Sequence, residues 1–109
     1  MTKKSVRIKN IMKRELENTL VTPAAKKLYE VLAQIDKPEE MALFLRDLLT
    51  LEEIEEASRR FLAAKLLKEG KSIRVIAKEI GISTTTVTRI NYWLNHGMGG
   101  YKLALDKLK

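Results

Sequence analysis

The sequence predicts an all-α protein, on three grounds. Its 109 residues are 45% hydrophobic and 32% charged, a balance too apolar for a disordered chain. It is rich in Leu, Ala, Lys and Glu, which lose little freedom in a helix. Its apolar residues also recur at three- and four-residue spacing behind recognisable helix starts.

The first segment carries Lys3, Lys4, Arg7, Lys9, Lys13 and Arg14 and no acid before Glu15. Residues 1–18 are therefore expected to form a basic arm that attracts phosphates without reading sequence. The remainder, 19–109, is expected to be a single helical domain. Within it, 19–70 would supply dimerisation helices, 71–94 a two-helix motif, and 95–109 a loop and a closing helix.

Thr22-Pro23 reads as an N-cap followed by proline at the first helical position, and Leu28, Val31, Leu32 and Ile35 follow at helical spacing. Pro38 marks a second start, with Glu39 and Glu40 complementing the positive end of the helix dipole. From Met41 to Leu49 this helix is apolar nearly all round. A core this thin cannot cover it on every side, so the segment predicts a symmetric homodimer. Thr50-Leu51-Glu52-Glu53 is a capping box, and the long helix it opens should end near Gly70. Ile54, Ala57, Phe61, Ala64, Leu66 and Leu67 are expected to face inward, leaving Arg59, Arg60, Lys65 and Lys68 as a basic surface.

From Lys71 the chain reads KSIRVIAKEIGISTTTVTRINYWL. Ser72 can cap a short helix through Ile80, Gly81 permits the positive φ of a sharp turn, and Ser83 can cap a second helix through about Leu94. Ala77 gives the first helix a small face for the second, with Ile76, Ile80, Ile82, Val87 and Ile90 filling the angle between them. That is the spacing of a bacterial helix-turn-helix. A hairpin packed only for structure has no need to leave Ser83, Thr84, Thr85, Thr88 and Arg89 on its outer face. Those residues suit base edges in a major groove, since Arg can bond guanine O6 and N7 and Thr offers a hydroxyl and a methyl. Lys71, Ser72, Arg74, Lys78 and the capping N–H groups suit phosphates.

The stretch from Asp47 to Ile90, DLLTLEEIEEASRRFLAAKLLKEGKSIRVIAKEIGISTTTVTRI, resembles the Trp repressor superfamily. With the following NYWLNHGMGGYKLALDKL it is most similar to the YerC/YecD-like, TrpR-related branch. The resemblance spans roughly residues 41–108 and implies a Trp repressor-like, intertwined homodimer acting as a transcriptional repressor or regulator. It also implies an effector pocket. Trp repressors hold tryptophan between two arginines, matched here by Arg60 and Arg89, with Thr50 matching a further pocket residue. Where those repressors have glycine and serine, however, this chain has Ile90 and Trp93. The branched Ile90 would project into the space an indole needs, so the pocket reads as vestigial and tryptophan is not expected to bind. Arg60 would instead pair with the acidic block or face DNA, Arg89 would contact DNA, at a base edge or simply at phosphate, and Tyr92 and Trp93 would pack in a core or hinge.

Asn95 to Gly100 reads as a loop holding His96, and Tyr101 to Leu108 as a last helix packing through Leu103, Leu105 and Leu108. With no cysteine and one histidine, the chain offers neither thiolate nor histidine-cluster metal sites and no thiol nucleophile. No phosphate loop or nucleophile motif appears, so neither an enzyme nor a cofactor is expected. No apolar run approaches a membrane span and the basic start lacks a signal peptide's apolar region, which points to the cytoplasm. Charge is segregated, with net +6 over residues 1–14, −7 over 15–58 and +8 over 59–109. Sequence-specific binding of double-stranded DNA by a transcriptional regulator is the reading these features favour. The alternatives are a non-specific nucleic-acid-binding module and a protein-interaction adaptor.

Overall fold

The computed structural model describes residues 22–108, so the basic arm expected over 1–18 lies outside the described residues, as does Lys109. Six helices and no strand occupy the described residues, as the sequence predicts. Among them no helix is long and apolar enough to cross a membrane. Two compact units divide the chain between Leu49 and Thr50.

The first unit holds α1 (Pro23–Gln34) and α2 (Pro38–Leu48). Thr22 caps α1 as expected, its hydroxyl accepting the Ala25 N–H at 3.1 Å. Lys37 stands at the corresponding place before α2 and offers no side-chain cap, so proline and the acidic first turn of Glu39 and Glu40 mark that start alone. Neither helix buries a residue. Leu43, which the sequence places in an apolar stretch, is 72% exposed.

The second unit holds α3 (Leu51–Lys68), α4 (Ile73–Ile80), α5 (Thr84–His96) and α6 (Gly100–Lys107). Its core is built from Ala63, Ala64, Ile76, Ala77, Val87, Ile90, Leu94 and Leu105. α5 lies at the centre, packed on α3, α4 and α6. The inward face of α3 differs from expectation, because Ala57 is exposed and Ala63 is fully buried. Burial falls instead on the pair Ala63 and Ala64, which join the core with residues of α4, α5 and α6 and whose small side chains let helix backbones approach.

The C-terminal end also departs from the sequence reading. α5 runs two residues past Leu94, so Asn95 and His96 are helical and only Gly97, Met98 and Gly99 separate it from α6. Gly97 ends the helix: its N–H bonds the Trp93 carbonyl at 2.9 Å, and a Cβ there would collide with that same carbonyl oxygen. In α6 only Leu105 is buried, while Leu103 and Leu108 are 63% and 58% exposed.

The capping box at the head of α3 forms with both of its bonds. The Thr50 hydroxyl accepts the Glu53 N–H at 3.1 Å, and the Glu53 carboxylate accepts the Thr50 N–H at 2.9 Å. The Thr50 backbone N–H, aided by its hydroxyl, holds the Glu53 carboxyl below its ordinary value of 4.5. A carboxyl whose pKa is depressed by folding adds stability above its unfolded pKa and gives it up as pH falls through the folded one. Melting temperatures of the wild type and Glu53→Gln, followed by circular dichroism, should therefore differ most at neutral pH and converge as pH falls below 4.5. A gap that stays constant as the solution is acidified contradicts the assignment. Thr50→Ala, which removes the hydroxyl acceptor, should cost about 1 kcal/mol.

Candidate nucleic-acid interface

The two helices of the motif are fixed at their starts by serine. Ser72 accepts the Val75 N–H at 3.2 Å and Ser83 accepts the Thr86 N–H at 3.0 Å, each satisfying one of the free donors of a helix N-terminus. Between them Gly81 adopts φ 80 and ψ 37, the left-handed conformation that a side chain would disfavour. From this bend the N–H groups of Gly81 and Ile82 both return to the Ala77 carbonyl, at 2.9 and 3.1 Å. Ile76 and Val87 are fully buried and Ile90 is 4% exposed, while Ile80 and Ile82 pack at the edge of the same core. The two-helix angle is thus filled by the residues the sequence assigns to it.

With that face buried, the opposite face of α5 is turned outward. Ser83, Thr84, Thr85, Thr88 and Arg89 are all exposed, and so are Lys71, Ser72, Arg74 and Lys78 around α4. Ser83 also meets the Thr86 hydroxyl at 2.9 Å, and the Thr88 hydroxyl donates to the Thr84 carbonyl at 2.8 Å. Thr84 and Thr85 carry hydroxyls that none of these bonds engages.

Electrostatics separate this surface from α3. The bases expected to make the second half of α3 a positive surface each have an acidic partner. Arg59 pairs with Glu55, Arg60 with Glu56 at 2.6 Å, Lys65 with Glu69 at 3.1 Å and Lys68 with Asp106 at 3.2 Å. Exposed pairs of this kind add little stability, but they place a negative charge beside each positive one. Lys71 lies 3.4 Å from Glu79. Arg74, Lys78 and Arg89 form no ion pair among the described residues, and they carry the uncompensated positive charge of the motif.

Beside the exposed face of α5 is a cleft of about 300 Å³ lined by Glu56, Arg60, Thr86, Arg89, Ile90, Trp93 and Tyr101. Four of the five residues expected for a vestigial effector pocket therefore meet in one place: Arg60, Arg89, Ile90 and Trp93. Thr50 does not line it and is instead committed to the capping box. Ile90 forms part of its wall from the core. Trp93 and Tyr92, expected in a core or hinge, are 57% and 56% exposed and meet edge to face at 5.3 Å. His96 is helical, with its ring tilted against Tyr92 at 5.0 Å.

Three residues in the cleft were not anticipated from the sequence. Thr86 lies three and four residues before Arg89 and Ile90, and Glu56 lies four before Arg60, so helical spacing could have placed both. Tyr101 arrives from α6, and no local pattern announces it.

Two helices joined through a left-handed glycine, with one face buried and a threonine- and arginine-bearing face exposed, define a helix-turn-helix. Residues 24–109 match the Trp repressor protein family. YerC of Bacillus subtilis is 35% identical over 82 residues, covering 75% of this chain and 79% of that protein. Among solved structures, a TrpR-like protein from Eubacterium eligens superposes with a TM-score of 0.78 at 35% identity, covering 84% of this chain and 94% of that one. A candidate Trp repressor from Staphylococcus aureus gives 0.75 at 32% identity, covering 80% and 87%. The chain belongs to the Trp repressor family, whose fold is that of DNA-binding regulators and not of enzymes.

Proposed function

We propose that the protein is a sequence-specific, double-stranded DNA-binding transcriptional regulator, acting as a repressor and as a homodimer in the cytoplasm. The observation that carries this reading is the outer face of α5, where Thr84, Thr85, Thr88 and Arg89 are exposed together on a helix held by a buried opposite face. Arg89 and the threonines are the base readers, and Ser83 joins them from the N-cap. Lys71, Ser72, Arg74 and Lys78 grip phosphate, together with the first N–H groups of α4 and α5. Homodimer formation is supported by α1 and α2, which bury no residue although they carry a long apolar stretch.

Selection of bound sequences from a random duplex library should return two half-sites in inverted repeat, as a symmetric dimer requires. On the selected duplex, Arg89→Ala should relax base preference by about 1 to 3 kcal/mol at one position. Arg74→Ala and Lys78→Ala should weaken all duplexes alike and each reduce the salt dependence by about one unit of slope. Lys71→Ala should do less, because Glu79 already offsets its charge. Unchanged affinity and preference in Arg89→Ala would remove α5 from the role of reader.

We further propose that L-tryptophan is not the corepressor. The Arg60 guanidinium is turned to Glu56, which puts a carboxylate in the cleft, and Ile90 walls the side where Trp repressors have glycine. Forcing an indole past a packed side chain costs roughly 1 to 3 kcal/mol. Calorimetry with millimolar L-tryptophan should show no saturable heat for the wild type. Saturable heat accompanied by tighter operator binding would show instead that Arg60 and Arg89 form a working tryptophan site.

A further inference from the structure

The three threonines offered to a base edge are not equivalent, and the difference lies in where their hydroxyl protons go. Thr88 donates its proton to the Thr84 carbonyl at 2.8 Å, a bond within the helix that needs no partner outside it. Thr84 and Thr85, on the same exposed turn, make no such bond. A hydroxyl whose single proton is committed cannot donate to guanine O6 or N7, to adenine N7 or to thymine O4. What Thr88 retains for a neighbouring base is its methyl and a lone pair.

We propose that Thr88 is a specificity-determining residue that reads the 5-methyl group of a thymine by apolar contact, leaving donor readout to Arg89, Thr84 and Thr85. This assignment rests on the reading of α5 as the recognition helix. Three features of the site favour methyl contact over use of the lone pair. Thr88 is exposed, so its methyl is free to be covered only when DNA arrives. It adjoins Arg89, whose guanidinium makes no ion pair among the described residues and suits a guanine. The Thr88 bond to Thr84 also holds the side chain in one rotamer, so a contact by its methyl needs no further ordering of the residue.

The test uses the full-length protein and the duplex recovered by selection. Each thymine of one half-site is replaced in turn by deoxyuridine, which removes the methyl and preserves every hydrogen-bonding group. Affinity is read by fluorescence anisotropy for the wild type, Thr88→Ser and Thr88→Val. At one thymine, loss of the methyl should weaken the wild type roughly fourfold, as expected for one buried methyl-sized group. Thr88→Val keeps the methyl and should keep that penalty, whereas Thr88→Ser should bind the thymine and deoxyuridine duplexes alike. A penalty that survives in Thr88→Ser, a preference lost in Thr88→Val, or a half-site in which no thymine methyl matters each overturns the assignment. If selection enriches no sequence, or Arg89→Ala leaves preference intact, the recognition-helix reading falls and this proposal with it. Specific, Arg89-dependent binding that ignores thymine methyls refutes the role of Thr88 alone.

Discussion

The exposed face of the two-helix motif depends on one backbone conformation, the left-handed Gly81 at φ 80 and ψ 37. It turns the chain back on the Ala77 carbonyl and delivers Ser83, two residues later, in the extended conformation an N-cap requires. From there the direction of α5 is set, with Val87, Ile90 and Leu94 packed inward and Thr84, Thr85, Thr88 and Arg89 outward. A residue with a Cβ at this bend would be strained even though open space surrounds it. The constraint is conformational and local, while the exposed surface it positions runs from Ser72 to Arg89.

Around that bend, some polar groups bond within the fold and others stay exposed without doing so. Ser72, Ser83 and Thr50 each accept an N–H at a helix start while keeping a hydroxyl proton to give, and Thr88 gives its proton to the helix itself. Glutamates and one aspartate take up the bases of α3 and the lysine before α4. Among the described residues, Arg74, Lys78 and Arg89 are left without an ion pair beside an exposed threonine face. Such an arrangement concentrates phosphate attraction on the motif and keeps α3 near neutrality, which favours one docking orientation on a polyanion over several.

How much of this was legible depended on whether the deciding interaction was local. Caps at Thr22, Thr50, Ser72 and Ser83 are written within four residues of the bonds they make, and all four form. The turn at Gly81 and the core residues Ile76, Ala77, Val87 and Ile90 follow from the motif's spacing in the same way. Readings failed where a distant element decides. Ala57 and Ala64 share a stripe on α3, but the core that α4, α5 and α6 complete forms on Ala63 and Ala64, so Ala63 is buried and Ala57 is not. Asn95 and His96 have weak helix propensity and look like loop, yet α5 continues until Gly97 meets the Trp93 carbonyl. Pairing of Lys68 with Asp106 joins residues 38 apart in sequence. The cleft holding Arg60 and Arg89 needed Tyr101 from α6, which no spacing on α3 or α5 could supply.

In the proposed function the exposed face of α5, not the paired bases of α3, meets DNA. Amide chemical shifts measured by NMR during titration with a selected duplex test it residue by residue. The largest changes are expected at Ser83 to Arg89 and at Ser72 to Arg74, with Glu55 to Arg60 little moved. Changes concentrated on Arg59 and Arg60, with the first two turns of α5 unaffected, would contradict it.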